Sequence, residues 1–150
     1  MADLSELYEE VVLDHYRDPR NYGKPKSANR QAEGYNPLCG DRVTIYLDIE
    51  GDTIRDIGFE GSGCAISTAA VSLMTERLKG KTKAEAEALA ERMHRMLTGE
   101  KDNQEAGPDL GKLAVLEGVV KFPNRVKCAS LGWHAVLAAI RGAGKPVTTE

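Results

Sequence analysis

Apolar residues recur along this chain with two different periods. Leu4, Leu7, Tyr8, Val11, Val12 and Tyr16 fall at helical spacing, which predicts an amphipathic helix over 4–16 with one stripe turned inward. Asp3 is placed to cap it. The run from Arg17 to Pro25 holds two prolines and a glycine and ends it. A polar stretch reaching to about Asn36 shows no period and is expected to be irregular. From Val43 the period changes to two. Val43, Ile45, Leu47 and Ile49 alternate with Thr44, Tyr46 and Asp48, the pattern of a strand with one buried face. Glu50-Gly51-Asp52 supplies a turn. Ile54, Ile57 and Phe59 mark a second strand whose alternation slips by one residue, and a bulge near Asp56 accounts for the slip.

Helical spacing returns after Gly61-Ser62-Gly63-Cys64. A helix is expected from there to about Lys79, stopped by Gly80. Thr82-Lys83-Ala84-Glu85 has the form of a capping box and opens a helix to about Leu97. Residues 98–109 are polar, with Gly99, Gly107 and Pro108, and read as a loop. Leu110, Leu113, Leu116 and Val120 suggest a further helix, and Pro123 breaks the chain. A last helix is expected from about Val126 to Ile140, ended by Gly142 and Gly144. Helix, strands and then helices, in that order, predict an α+β fold. It is a small antiparallel sheet, about three-stranded, with helices packed on one face.

Composition narrows the function more than the fold. A chain of 150 residues is one domain by default and can bury a core without staples. Its net charge of −3 and pI of about 5.7 argue against a nucleic-acid partner. The N-terminus is acidic, unlike a secretory signal. No stretch approaches the ~18 apolar residues of a membrane span. The expected setting is the cytoplasm, with no membrane partner.

The three cysteines, Cys39, Cys64 and Cys128, are an odd count for a disulfide framework, and the cytosol reduces such bonds. Each sits at a junction. Cys39 precedes the first predicted strand. Cys64 follows the second strand and starts a helix. Cys128 lies in the first turn expected of the last helix. A helix N-terminus favours the thiolate, the form that binds metal or attacks sulfur, and Lys127 adds charge beside Cys128. Asp41 is two residues beyond Cys39, with Gly40 between. Cys39, Asp41, Cys64 and Cys128 are therefore a candidate set of three thiolates and one carboxylate, suited to zinc or an iron–sulfur cluster. The alternative is three buried cysteines acting as small hydrophobes, with Asp41 a turn residue. No C-x-x-C pair is present to decide it. His15, His94 and His134 lie on predicted helices away from these segments and are expected in surface or capping roles. Trp133 is expected in the core or an interface. Met74, Met93 and Met96 are expected as core fillers.

The segments Asn36-Pro37-Leu38-Cys39-Gly40-Asp41, Ser62-Gly63-Cys64-Ala65-Ile66-Ser67 and Arg125-Val126-Lys127-Cys128 resemble the three signatures of the IscU/NifU-like iron–sulfur assembly proteins. The start, from Leu7-Tyr8 through Asp14-His15-Tyr16-Arg17-Asp18-Pro19-Arg20-Asn21, resembles that family's first helix. Within the family the chain is similar to the SufU branch. An extra segment of roughly twenty residues lies around 98–118, longer than most connections in compact domains. Lys127 stands where the IscU branch usually has histidine. Phe122-Pro123-Asn124-Arg125-Val126-Lys127 replaces the Leu-Pro-Pro-Val-Lys stretch of IscU proteins.

The resemblance implies a three-stranded antiparallel sheet with helices, forming a single SufU/IscU-like domain over 1–150. It implies zinc held by Cys39, Asp41, Cys64 and Cys128, and a partner cysteine desulfurase of the SufS type, a PLP enzyme. The function implied is sulfurtransferase-like acceptance of persulfide sulfur. Cys39, on the loop before the strand rather than at a helix start, is the expected acceptor. Arg125 and Lys127 are candidate auxiliary cations for the anionic persulfide, the alternative being an ordinary basic stretch. The sulfur would pass on to downstream cluster assembly proteins. The rival is a scaffold on which an iron–sulfur cluster is built and handed on, using the same four ligands.

Overall fold

The structure, a computed structural model, describes residues 4–37, 40–98, 113, 116, 119, 123–142 and 147–148. The first helix, α1 (Leu4–Arg17), is the amphipathic segment expected, but its inward stripe is rotated. Val12 and His15 are buried, while Tyr16 is exposed. The side chains of Leu4, Leu7 and Tyr8 lie outside the described residues. The rotation follows from the partner helix, α2 (Ala65–Leu78). It places the hydroxyl of Ser72 2.7 Å from Nδ1 of His15. A buried polar group needs a partner, and here it has one, so His15 sits inside rather than in the surface or capping role expected. The same hydroxyl accepts the Arg20 N–H at 2.8 Å, which ties the chain leaving α1 to α2.

Three antiparallel strands follow: β1 (Arg30–Asn36), β2 (Asp41–Glu50) and β3 (Thr53–Ser62). A two-residue strand, β4 (Val147–Thr148), adds in parallel beside β1, giving the order β3-β2-β1-β4. β1 corrects the expectation of an irregular stretch. Its buried positions are Ala32, Gly34 and Asn36, too small or too polar to register as an apolar alternation. Gly34 is small because a helix lies on it. A Cβ there would come within 3.0 Å of Leu131 Cδ1 and 3.3 Å of Ala135 Cβ. β2 buries Val43, Ile45, Leu47 and Ile49 as the period of two predicts. Gly51 takes φ +62° in the turn, a conformation open to glycine at little cost. Asp48 pairs with Asp56 and Ile49 with Ile54, so Arg55 is the extra residue of the bulge expected near Asp56.

Cys64 caps α2, and Thr82 and Glu85 form the reciprocal capping box that opens α3 (Lys83–Leu97). The last helix, α4 (Pro123–Arg141), begins three residues before the expected start. Proline suits the first helical position, where its missing N–H costs nothing, so Pro123 opens the helix instead of breaking the chain. α4 packs across β1 and β2, α2 packs on β3 and α4, and α3 packs on α4. Ile45, Leu47, Ile54 and Ile57 of the sheet meet Leu73, Met74, Leu89, Met93 and Leu131 of the helices in one core. Trp133 belongs to that core, and Met96 packs against it. Leu113, Leu116 and Val119 are also buried. The rest of the expected loop and helix between Gly99 and Val120, including Leu110, lies outside the described residues. No helix among the described residues is long and apolar enough to cross a membrane.

Candidate metal centre

Asn36 ends β1 and Asp41 begins β2, directly opposite one another in the register. Gly40, at φ +74°, closes the connection by donating its N–H to the Asn36 carbonyl at 2.8 Å. Leu38 and Cys39, within that connection, lie outside the described residues. Asp41 is almost fully buried. Its Oδ1 accepts the Cys64 N–H at 2.9 Å, so the carboxylate binds the start of α2, where the helix is electropositive. Gly63 makes this approach possible, because a Cβ there would lie 2.6 Å from Oδ1. The other oxygen, Oδ2, accepts from the Cys64 thiol at 4.0 Å.

The two described cysteines differ in their surroundings. Cys64 is half-buried at the helix start, and its Sγ accepts the Ser67 N–H at 3.4 Å. That is the helix-terminal setting expected. Cys128 departs from expectation. Because α4 begins at Pro123, Cys128 lies in the second turn, beyond the free N–H groups of the first. It is fully buried. Burial, reinforced by Asp41 and Cys64, pushes its thiol well above the ordinary range. Two other groups supply the positive polarity that the helix end does not. The side-chain amide of Asn36 donates to Cys128 Sγ at 3.8 Å. Arg125, exposed on the first turn of α4, faces both sulfurs, and its guanidinium is raised above its usual value chiefly by Cys64 and secondarily by Cys128.

The ligand atoms of Asp41, Cys64 and Cys128 all lie within 4.8 Å of one another. Sulfur donors ~2.3 Å from a tetrahedral zinc stand ~3.8 Å apart, so a small contraction brings the three onto one ion. The donor chemistry fits zinc, which takes thiolate and carboxylate ligands together. Lys127 is half-buried, and no hydrogen bond or ion pair from its side chain to these three ligands is found among the described residues. His94 and His134 are exposed and line a groove between α3 and α4, away from these ligands. Asn36 is the residue that sequence reasoning missed. Its signal, a polar side chain at an inward strand position just before a cysteine loop, becomes legible only once β1 is known to be a strand.

The family model for the NifU-like N-terminal domain matches residues 7–141. The zinc-dependent sulfurtransferase SufU of Bacillus subtilis is 40% identical over 135 residues, covering 90% of each chain. The iron–sulfur cluster assembly scaffold protein IscU of Streptococcus pyogenes is also 40% identical, over 94% of this chain and 87% of its own. Among solved structures, a putative iron–sulfur cluster assembly scaffold protein for the SUF system from Fervidobacterium islandicum superposes with a TM-score of 0.82 at 36% identity. That match covers 90% of this chain and 97% of the other.

Proposed function

The chain belongs to the family of NifU-like N-terminal domains, and from that premise we propose that it serves iron–sulfur cluster assembly as a zinc-dependent acceptor of persulfide sulfur. The observation that carries this reading is the convergence of Asp41, Cys64 and Cys128 on one point. Cys39 is the proposed fourth ligand. It is two residues from Asp41 in sequence, within ~7 Å of extended reach, and the Asn36–Asp41 pairing fixes both ends of its connection. We read 1–150 as one such domain, with the segment around 98–118 an insertion. A cytoplasmic setting, where thiols stay reduced, suits the chemistry.

The donor of sulfur is a cysteine desulfurase of the SufS type, and downstream cluster assembly proteins receive it. Bound zinc would keep its cysteine ligands deprotonated and, having no redox chemistry, would not oxidise a persulfide. Cys39 is the acceptor because it lies on the connection between strands. Cys64 and Cys128, by contrast, are held on helices. Its thiolate attacks the outer sulfur of the desulfurase persulfide. The S–S bond of that persulfide breaks, the desulfurase cysteine leaves as a thiolate, and Cys39 carries the persulfide. Arg125 places a permanent positive charge beside the thiolates, which draws in the anionic persulfide. Lys127 adds a second cation nearby in sequence.

Desulfurase turnover of cysteine under a mild reductant tests this reading. The zinc-loaded protein should stimulate it strongly and the Cys39→Ala variant should not. Equal stimulation by the variant would remove Cys39 from the role. No stimulation by either would favour the scaffold reading, which the name of the Streptococcus pyogenes relative supports; cluster reconstitution would then be the next measurement.

A further inference from the structure

We propose that Asn36 is a positioning residue of the metal centre, its buried amide holding the Cys128 sulfur as the fixed thiolate while exchange takes place at the other ligands. The inference rests on the metal-site reading of Asp41, Cys64 and Cys128. It begins from a buried polar group that needs a reason. Asn36 is fully buried at the end of β1. A polar amide is costly there unless it is hydrogen-bonded. Its Nδ2 lies 3.8 Å from Cys128 Sγ.

The chemistry sets the direction of that contact. A thiolate can only accept, so the nitrogen end of the amide must face it. A neutral donor stabilises the thiolate without competing for the metal. The register explains why the donor comes from this position. Asn36 and Asp41 are directly opposite on β1 and β2, and opposed residues turn their side chains to the same face. The strand pair therefore presents one ligand, Asp41, and one donor to a ligand, Asn36, from its two feet. Aspartate at position 36 would keep the shape but set a second carboxylate against Asp41 and the thiolate.

The three described ligands are thus secured differently. Cys128 is fully buried and held by an amide from the sheet. Cys64 is half-buried and held by a backbone N–H of its own helix. Asp41 is held by the Cys64 N–H. Asp41 is almost as buried as Cys128, but of the two described thiolates Cys128 is the one less able to leave, which places exchange among the sulfur ligands on the outer side of the centre.

The test uses the full chain, stripped of metal and titrated with zinc against a chromophoric chelator, then with cobalt to read the thiolate-to-metal absorption. Asn36→Leu keeps the branching and the number of side-chain heavy atoms and removes the donor, with some added bulk. Asn36→Asp keeps the shape and reverses the polarity. Ile45→Val, in the core and away from the site, controls for a general loss of packing. Both Asn36 variants should lose zinc affinity by about 10–100-fold, the usual cost of removing such a partner. Their cobalt–thiolate band should move to longer wavelength, because a thiolate without its N–H donor is easier to oxidise. Ile45→Val should change neither. Wild-type affinity and an unmoved band in both Asn36 variants would overturn the proposal, as would a loss of affinity that Ile45→Val reproduces. A wild-type protein that gives no cobalt–thiolate band would instead overturn the metal-site reading beneath it.

Discussion

Gly63 and Asp41 show how little room the centre leaves at the scale of single residues. The Asp41 carboxylate lies against the backbone at Gly63, where a Cβ would stand 2.6 Å from Oδ1. Gly63→Ala must therefore push the carboxylate away from the Cys64 N–H it now binds. The expected result is a protein that folds as before but binds zinc about 10-fold or more weakly, measured by chelator competition beside a far-UV spectrum. Unchanged affinity would mean that Asp41 is not positioned through this contact. Cys128 makes a different point. Its burial pushes the thiol up, so in the metal-free protein it is the neutral form that burial favours. Metal binding there must release a proton, and affinity should rise with pH.

At the scale of elements, the capping box of α3 was legible from four letters, Thr82 to Glu85, because every atom it uses is local. Thr82→Ala should cost about 1 kcal/mol, a fall of about 2–4 °C in Tm for a chain of this size, read by thermal melting. Glu85 adds a pH signature. Its carboxyl is held below its usual value, chiefly by the Thr82 backbone N–H. A depressed carboxylate stabilises fully above its unfolded value of about 4.3 and less as pH falls through the folded value. The stability gap between wild type and Glu85→Ala should narrow on acidification between pH 6 and 3, and a constant gap would mean that the carboxylate contributes nothing. Other elements were less legible. β1 went unread because α4 lies so close that only Ala32 and Gly34 fit beneath it. The start of α4 was misplaced because Pro123 is both a breaker and a good first residue, and local sequence does not separate the two roles.

On the scale of the whole molecule, the hydrophobic core is built without the residues of the centre. Ile45, Leu47, Leu73, Met74, Leu78 and Leu131 are fully or almost fully buried well inside the sheet and helices. The candidate ligands Asp41, Cys64 and Cys128 sit at one end, where β1 and β2 meet the starts of α2 and α4. Removing zinc by chelation should lower Tm, because a ligand that binds only the folded state stabilises it, yet leave the chain folded at room temperature. Circular dichroism before and after chelation checks this, and complete unfolding of the metal-free protein would contradict it. By itself the sequence determined the α+β order, the main strand pair with its bulge, the capping box and the candidate ligands, because periodicity, turns and caps are local. Tertiary structure alone decided that His15 turns inward to Ser72, that Cys128 lies one turn into its helix, and that Arg125 and Asn36 rather than a helix end serve its sulfur. Those outcomes depend on which surfaces meet across distances in sequence of 57 residues for His15 and Ser72 and 92 for Asn36 and Cys128, and no local pattern encodes such meetings.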